Sequence, residues 1–331
     1  MGEEMKKVFY LLPLFLFFLF IKSFAFKAEV LKVIYRDDVR QFLSFPINVK
    51  IDTEHFNFYV IDSSKAKIIF YNFNFVPFFS LGKGRDIISP VAMDIDKDGY
   101  MYIYQSSFYE NPPRISILNP LGLIEKEIPL NKEPLNLQVA SLAVDKKYLY
   151  LVGNNFSGAI ILDKKTGKIV KRIKILDEVV STLKEVTLRD VYIDRKGRIY
   201  FLSEEAGRFY VYDSRLKFLF KGGEKGGSFG KLSRPKAIAA SPELGVIVVM
   251  DYMRHSGLVY DYKDGNFLGE FGGKGWLPGW FQGPMDVDID REGRIYIADS
   301  FNRRIQILIL RSGDAEGIWV PSFVTPLQPV K

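Results

Sequence analysis

The sequence predicts an all-β chain closed into a ring of six four-stranded antiparallel sheets, and three observations carry that reading. Strand formers dominate: 28 Phe and 18 Tyr occur among 331 residues, hydrophobic residues make up 47%, and no stretch beyond residue 30 sustains a helical apolar stripe. A unit built from the same elements in the same order recurs six times, with 44 to 49 residues between its copies. Each copy contains a tight turn with the same chemistry. Such a unit cannot bury its own faces and must stack on its neighbours, and a closed ring of such blades is a β-propeller.

The first strand of each unit ends on an acid, at Asp52, Asp96, Asp145, Asp194 and Asp290, with Ser241 in its place in the fifth unit. A turn follows, such as Lys97-Asp98-Gly99, Arg195-Lys196-Gly197 or Arg291-Glu292-Gly293, whose glycine supplies the positive φ of a tight hairpin. The second strand begins five or six residues after the anchor, around Phe58, Tyr102, Tyr150, Tyr200, Ile247 and Tyr296. Third strands are expected at 68–71, 115–118, 159–162, 209–212, 258–260 and 305–308. Fourth strands are expected at 76–81, 123–128, 169–175, 216–220 and 267–271. The sixth unit has no clear fourth strand of its own. The unassigned strand at 30–35 is the economical donor, closing the ring as the outer strand of the last blade, and 318–324 is its rival.

The best copy runs from Gly283-Pro284 through an alternating run to Asp290, the turn glycine Gly293, Ile295-Tyr296-Ile297-Ala298-Asp299 and then Asn302-Arg303-Arg304-Ile305-Gln306. This pattern resembles the NHL repeat family of six-bladed propellers. The likeness is close at 283–308, moderate at 189–212 and 236–262, and weak in the first three units. Together it covers almost all of the chain past residue 25. Two enzyme groups with propellers of this kind set a comparison. Zinc-dependent amidating lyases resemble this pattern but use a set of channel histidines, and this chain has only His55, in a first-blade hairpin, and His255, in a fifth-blade loop on the opposite face. Calcium-dependent lactonases and related hydrolases, the second group, hold an acidic site in the channel.

The expected organisation is a signal peptide at 1–25, one propeller at 26–312 and a surface tail at 313–331. Lys6 and Lys7 precede an uncharged apolar run at 8–21, followed by Ser23-Phe24-Ala25 with small residues where a signal peptidase acts. The alternative is an uncleaved N-terminal anchor, the only route to membrane contact, although 14 apolar residues fall short of the roughly 20 needed to span a bilayer. Export to the periplasm or the exterior is therefore expected. The absence of cysteine removes disulfides, thiol catalysis and lipoprotein attachment. The net charge of +7 becomes +6 without the three Lys and two Glu of residues 1–25. Its basic residues are interspersed with acids, so no nucleic-acid footprint is evident.

Alternation and connectivity divide the candidate site residues between two places. Long aromatic loops gather on the face that carries the links between blades, above all the glycine-rich loop 272–284. There Trp276 and Trp280 are candidate anchors for a partner, while Phe281 is expected to pack inward. Arg254 and Arg303 are expected to point outward and to meet an acidic partner. Arg114, Arg208 and Arg304, with Lys67, recur at the start of the third strand and are expected to form salt bridges between blades, for instance to Asp299. The channel strands carry Asp94, Asp190, Asp286 and Asp288, and a calcium site at Asp94, Asp190 and Asp288 is the alternative to a structural role. Repetition favours the structural role, since a catalytic group is needed once and a structural device recurs. No nucleophile, histidine and acid are placed together, and Gly222-Gly223 to Gly230 lacks the context of a phosphate loop. The expected function is a non-catalytic module, without cofactor, that binds an envelope or secreted protein. A metal-dependent channel hydrolase or lyase and a carbohydrate or cell-wall binder are the alternatives.

Overall fold

The computed structural model describes residues 26–131, 137–179 and 181–312. The expected signal peptide or anchor at 1–25, the tail at 313–331 and the rival closing strand at 318–324 lie outside the described residues. Within them stand six four-stranded antiparallel blades, each consecutive in sequence except the last. The inner strands are Pro46–Asp52, Pro90–Ile95, Val139–Val144, Asp190–Ile193, Pro235–Ser241 and Pro284–Ile289. In blade 6 the outer strand is Phe26–Ile34, which pairs antiparallel with Arg304–Ser312 from Phe26 opposite Ser312 to Ile34 opposite Ile305. The N-terminal segment therefore closes the ring, as the unit count predicts.

The anchor acids explain why the first turn recurs. Asp194 accepts the backbone N–H of Lys196 (2.8 Å) and Arg198 (3.0 Å) on Oδ1, and the Tyr200 hydroxyl on Oδ2 (2.9 Å). Asp96, with Tyr102, and Asp290, with Tyr296, repeat this arrangement. One side chain thus shapes the hairpin and also satisfies a tyrosine hydroxyl buried between blades. Gly99, Gly197 and Gly293 take φ values of +82°, +79° and +80°, the left-handed region that favours glycine. Apolar residues on the two faces of neighbouring blades interlock into the core. The largest cluster joins blades 4, 5 and 6 and includes Phe209, Tyr260, Phe271 and Phe281.

Two segments outside the ring strands are latched onto it by a buried aspartate. Residues 35–45 cross from the closing strand to blade 1, and Asp37 there receives the ammonium groups of Lys67 (2.8 Å) and Lys65 (2.9 Å). Between blades 3 and 4 the chain forms a hairpin, Leu176–Val179 with Thr182–Glu185, that the repeat did not foretell. Its Asp177 bonds Arg208 (2.9 Å), Lys221 (3.0 Å) and the Tyr210 hydroxyl (2.8 Å).

Candidate functional site

The inner strands converge on the channel and set their side chains in two rungs. Nearer the hairpin face lie Lys50, Asp94, Tyr192 and Asp288, which line a cavity of 420 Å³ at that mouth. Nearer the loop face lie Asn48, Ser141, Asp190 and Asp286, around a 50 Å³ opening. The carboxylates staple blade to blade. Asp94 of blade 2 accepts the N–H of Val144 in blade 3 (2.8 Å), and Asp190 of blade 4 accepts that of Ile238 in blade 5 (2.8 Å). Asp286 and Asp288 of blade 6 accept those of Val49 (2.8 Å) and Ile51 (2.9 Å) in blade 1. The second oxygens are also engaged: Asp190 with Ser141 (2.6 Å), Asp288 with Tyr192 (3.2 Å), and Asp94 with the Lys50 ammonium (3.4 Å).

Lys50 is the internal counterion of this array. Burial pulls its pKa down, but Asp94, Asp288, Asp286 and Asp190 more than reverse that and hold it above the ordinary lysine value. Burial raises Asp94 and Asp190. It raises Asp286 well above the usual carboxylate range, with the charge of Asp190 adding to the effect. Among the described residues no three of His, Cys, Asp or Glu are grouped to hold a metal ion. The two histidines lie apart, His55 on Asp52 (2.8 Å) and His255 accepting from Gly283 N–H (3.0 Å).

The loop face carries the tryptophans. The loop 272–284 folds back so that Phe281 N–H donates to Gly273 O (2.8 Å) and Gly275 N–H to Phe281 O (3.0 Å). Phe281 is fully buried against Phe271. The Trp280 ring lies over Gly273, where a Cβ would stand 2.7 Å from Trp280 Cζ3. The loop is clamped from below by Arg304, itself only 2% exposed and paired to Asp299 (2.7 Å). Its guanidinium donates to the carbonyls of Trp276 (2.7 Å), Leu277 (3.0 Å) and Trp280 (2.8 Å). Above this clamp Trp276 is 78% and Trp280 48% exposed.

Neighbouring loops extend this surface. Asn302 Nδ2 donates to Gly275 O (2.8 Å), and Arg303 Nε donates to Leu43 O (3.2 Å), so Trp276, Trp280, Phe301, Arg303 and Phe42 belong to one connected set of loops. Phe301, Phe42 and Leu277 are exposed there.

Two expectations are corrected. Arg254 does not point outward: its side chain is 13% exposed, pairs with Glu270 (2.8 Å) and donates to Lys231 O (2.9 Å). It holds loop 222–235 much as Arg304 holds loop 272–284. The third-strand cations do not bridge ring blades either. Arg304 and Asp299 belong to one blade, as do Arg114 and Glu127 (2.7 Å), while Arg208 and Lys67 reach the latching Asp177 and Asp37. The pairing of Arg304 with Asp299 is the one the sequence suggests, but it lies within one blade; Glu270, Glu127, Asp177 and Asp37, which answer the other cations, lie at unrepeated positions or on segments outside the repeat.

No protein-family model and no curated protein matches the chain. Solved structures do share its fold. A structural-genomics protein of unknown function from Bacteroides thetaiotaomicron superposes with a TM-score of 0.63 and 12% identity, over 87% of this chain and 77% of that one. An auxiliary nutrient binding protein from Bacteroides ovatus gives 0.62 and 12%, over 88% and 78%. Hydrazine synthase of Kuenenia stuttgartiensis gives 0.56 and 11%, over 80% and 95%. At such identities the likeness shows the fold alone, which hosts unrelated functions.

Proposed function

We propose that the chain is an exported NHL-type propeller acting as a non-catalytic binding module, whose partner is an envelope or secreted protein engaged through the loop face. The observation that carries this reading is a difference between two copies of one loop. Loops 222–235 and 272–284 share the same fold-back, with Lys225 bridging Leu232 in one and Lys274 bridging Phe281 in the other. Where the first has Gly227 and Lys231, the second has Trp276 and Trp280. The scaffold is satisfied without tryptophan, so the two rings are surplus to it. Large aromatic anchors on a rigid, pre-formed loop are the residues from which binding hot spots are made.

Arg303, exposed beside them, supplies the charge for an acidic group on the partner. The channel acids support a structural rather than chemical use of the interior, since each of Asp94, Asp190, Asp286 and Asp288 is spent on a neighbouring blade.

The test is affinity co-purification of the full chain from its own envelope fraction, followed by binding measurement with the identified partner. Trp276→Ala is expected to weaken binding by about 2 kcal/mol, roughly thirtyfold, without lowering the melting temperature. Unchanged binding in both Trp276→Ala and Arg303→Ala would show that the face is wrong. A stoichiometric metal in the purified protein, lost in Asp288→Asn, would overturn the non-catalytic reading.

A further inference from the structure

A second cavity lies on the loop face, away from the tryptophans, between blades 3, 4 and 5. It measures 410 Å³, within the range of small-molecule sites, and is walled by Asn154, Thr187, Arg189, Glu205, Lys225 and Arg234. Its charges are unevenly matched. Glu204 is shared by Arg234 (2.7 Å) and Lys236 (2.5 Å), and Glu205 is taken by Lys184 (2.6 Å) and the N–H of Thr187 (2.6 Å). Among the described residues Lys225 meets only carbonyls, those of Glu204 (2.6 Å) and Ser233 (2.7 Å). The Arg189 side chain has no hydrogen-bond or ion-pair partner among the described residues, and its Nε is sealed from solvent.

Arg189 is not loose. Its N–H donates to Leu202 O (2.7 Å), and the next residue is the stapling Asp190, so the backbone is fixed on both sides. Arg189 lines both this cleft and the loop-face opening of the channel. The local potential is positive enough to matter to a neighbour: burial lowers the pKa of Lys236, and the charge of Arg189 lowers it further despite Glu204. A half-buried guanidinium that is positioned but unpaired offers a planar fork matched to a planar acceptor.

We propose that this cleft binds a small carboxylate, with Arg189 as its recognition residue. The carboxylate takes the free edge of the guanidinium, Lys225 contributes charge at the cleft wall, and Asn154 offers a polar side chain to the rest of the ligand. The site is independent of the tryptophan loop.

Calorimetric titration of the full chain with succinate, at fixed ionic strength and with inorganic phosphate as the comparison anion, tests it. Saturable succinate binding is expected, weakened at least tenfold in Arg189→Ala and several-fold in Arg189→Lys, which keeps the charge but loses the fork. Arg172→Ala, an exposed cation on the outer strand of blade 3, and Trp276→Ala should bind as the wild type does. Melting curves without ligand establish that the variants are folded, and Arg189→Lys carries the test alone if Arg189→Ala is not. No binding of succinate by the wild type, equal binding by the Arg189 variants, or tighter binding of phosphate than of succinate would overturn the assignment.

Discussion

Asp177 gives the sharpest quantitative test of how accessory segments are held to the ring. Burial alone would raise its pKa, but hydrogen bonds from Tyr210, Lys221, the Glu178 N–H and Arg208 overcome this and hold the carboxyl at about 2, against an ordinary 3.8. The Asp177 side chain is 4% exposed, while Arg208 at 29% and Lys221 at 46% reach solvent and are partly screened by it. A shift of nearly two units corresponds to about 2 kcal/mol of folding stability carried by the ionised form. Because the folded pKa is the lower one, that stability is fully present above pH 4 and is lost as pH falls towards 2. In Asp177→Asn it is absent throughout. Urea unfolding of the two proteins should therefore differ by about 2 kcal/mol at pH 7 and by about half as much near pH 3. A gap that stays constant across this range would refute the electrostatic account and point to packing of the hairpin instead.

Two further outcomes follow from the channel and the clamp. Lys50→Met should cost about 3 kcal/mol at pH 7, because it leaves Asp94, Asp190 and Asp286 buried without their ammonium. Part of that loss should return as pH is lowered to 5, since these acids have raised pKa values and protonate more readily in the folded state; a variant whose unfolding free energy falls further at pH 5 would contradict this. Arg304→Ala should cost about 3–5 kcal/mol by stranding the buried Asp299. It should also release loop 272–284 to limited proteolysis near Trp276, and an uncut loop would show that the three carbonyl bonds are not what holds it.

Much of the architecture is written in period and turn chemistry. Anchor acids mark five of the six inner strands, turn glycines mark the hairpins of blades 2, 4, 5 and 6, and the missing fourth strand of blade 6 points to the N-terminal donor. These signals are local, so one chain segment contains all that is needed to read them. The links between blades are not local. Asp94 meets Val144 and Asp286 meets Val49, and nothing in either segment names the other. The same limit applies to arginines. Arg254 and Arg303 look alike as exposed loop residues in sequence, yet Glu270 buries one and leaves the other out. The hairpin at 176–185 was missed because it fits within an interval of ordinary length between Asp145 and Asp194. Arg189 carries no motif; only the lack of a side-chain partner among the described residues distinguishes it.

The closing strand also fixes an orientation. Phe26 and Ser312 face each other across the last pair of strands, at the hairpin end of blade 6. Both chain exits therefore leave the ring from one corner, on the side opposite Trp276, Arg303 and the Arg189 cleft. Any tether attached through either exit grips the molecule by its back, so that the surface bearing both proposed sites is held outward from whatever supports it.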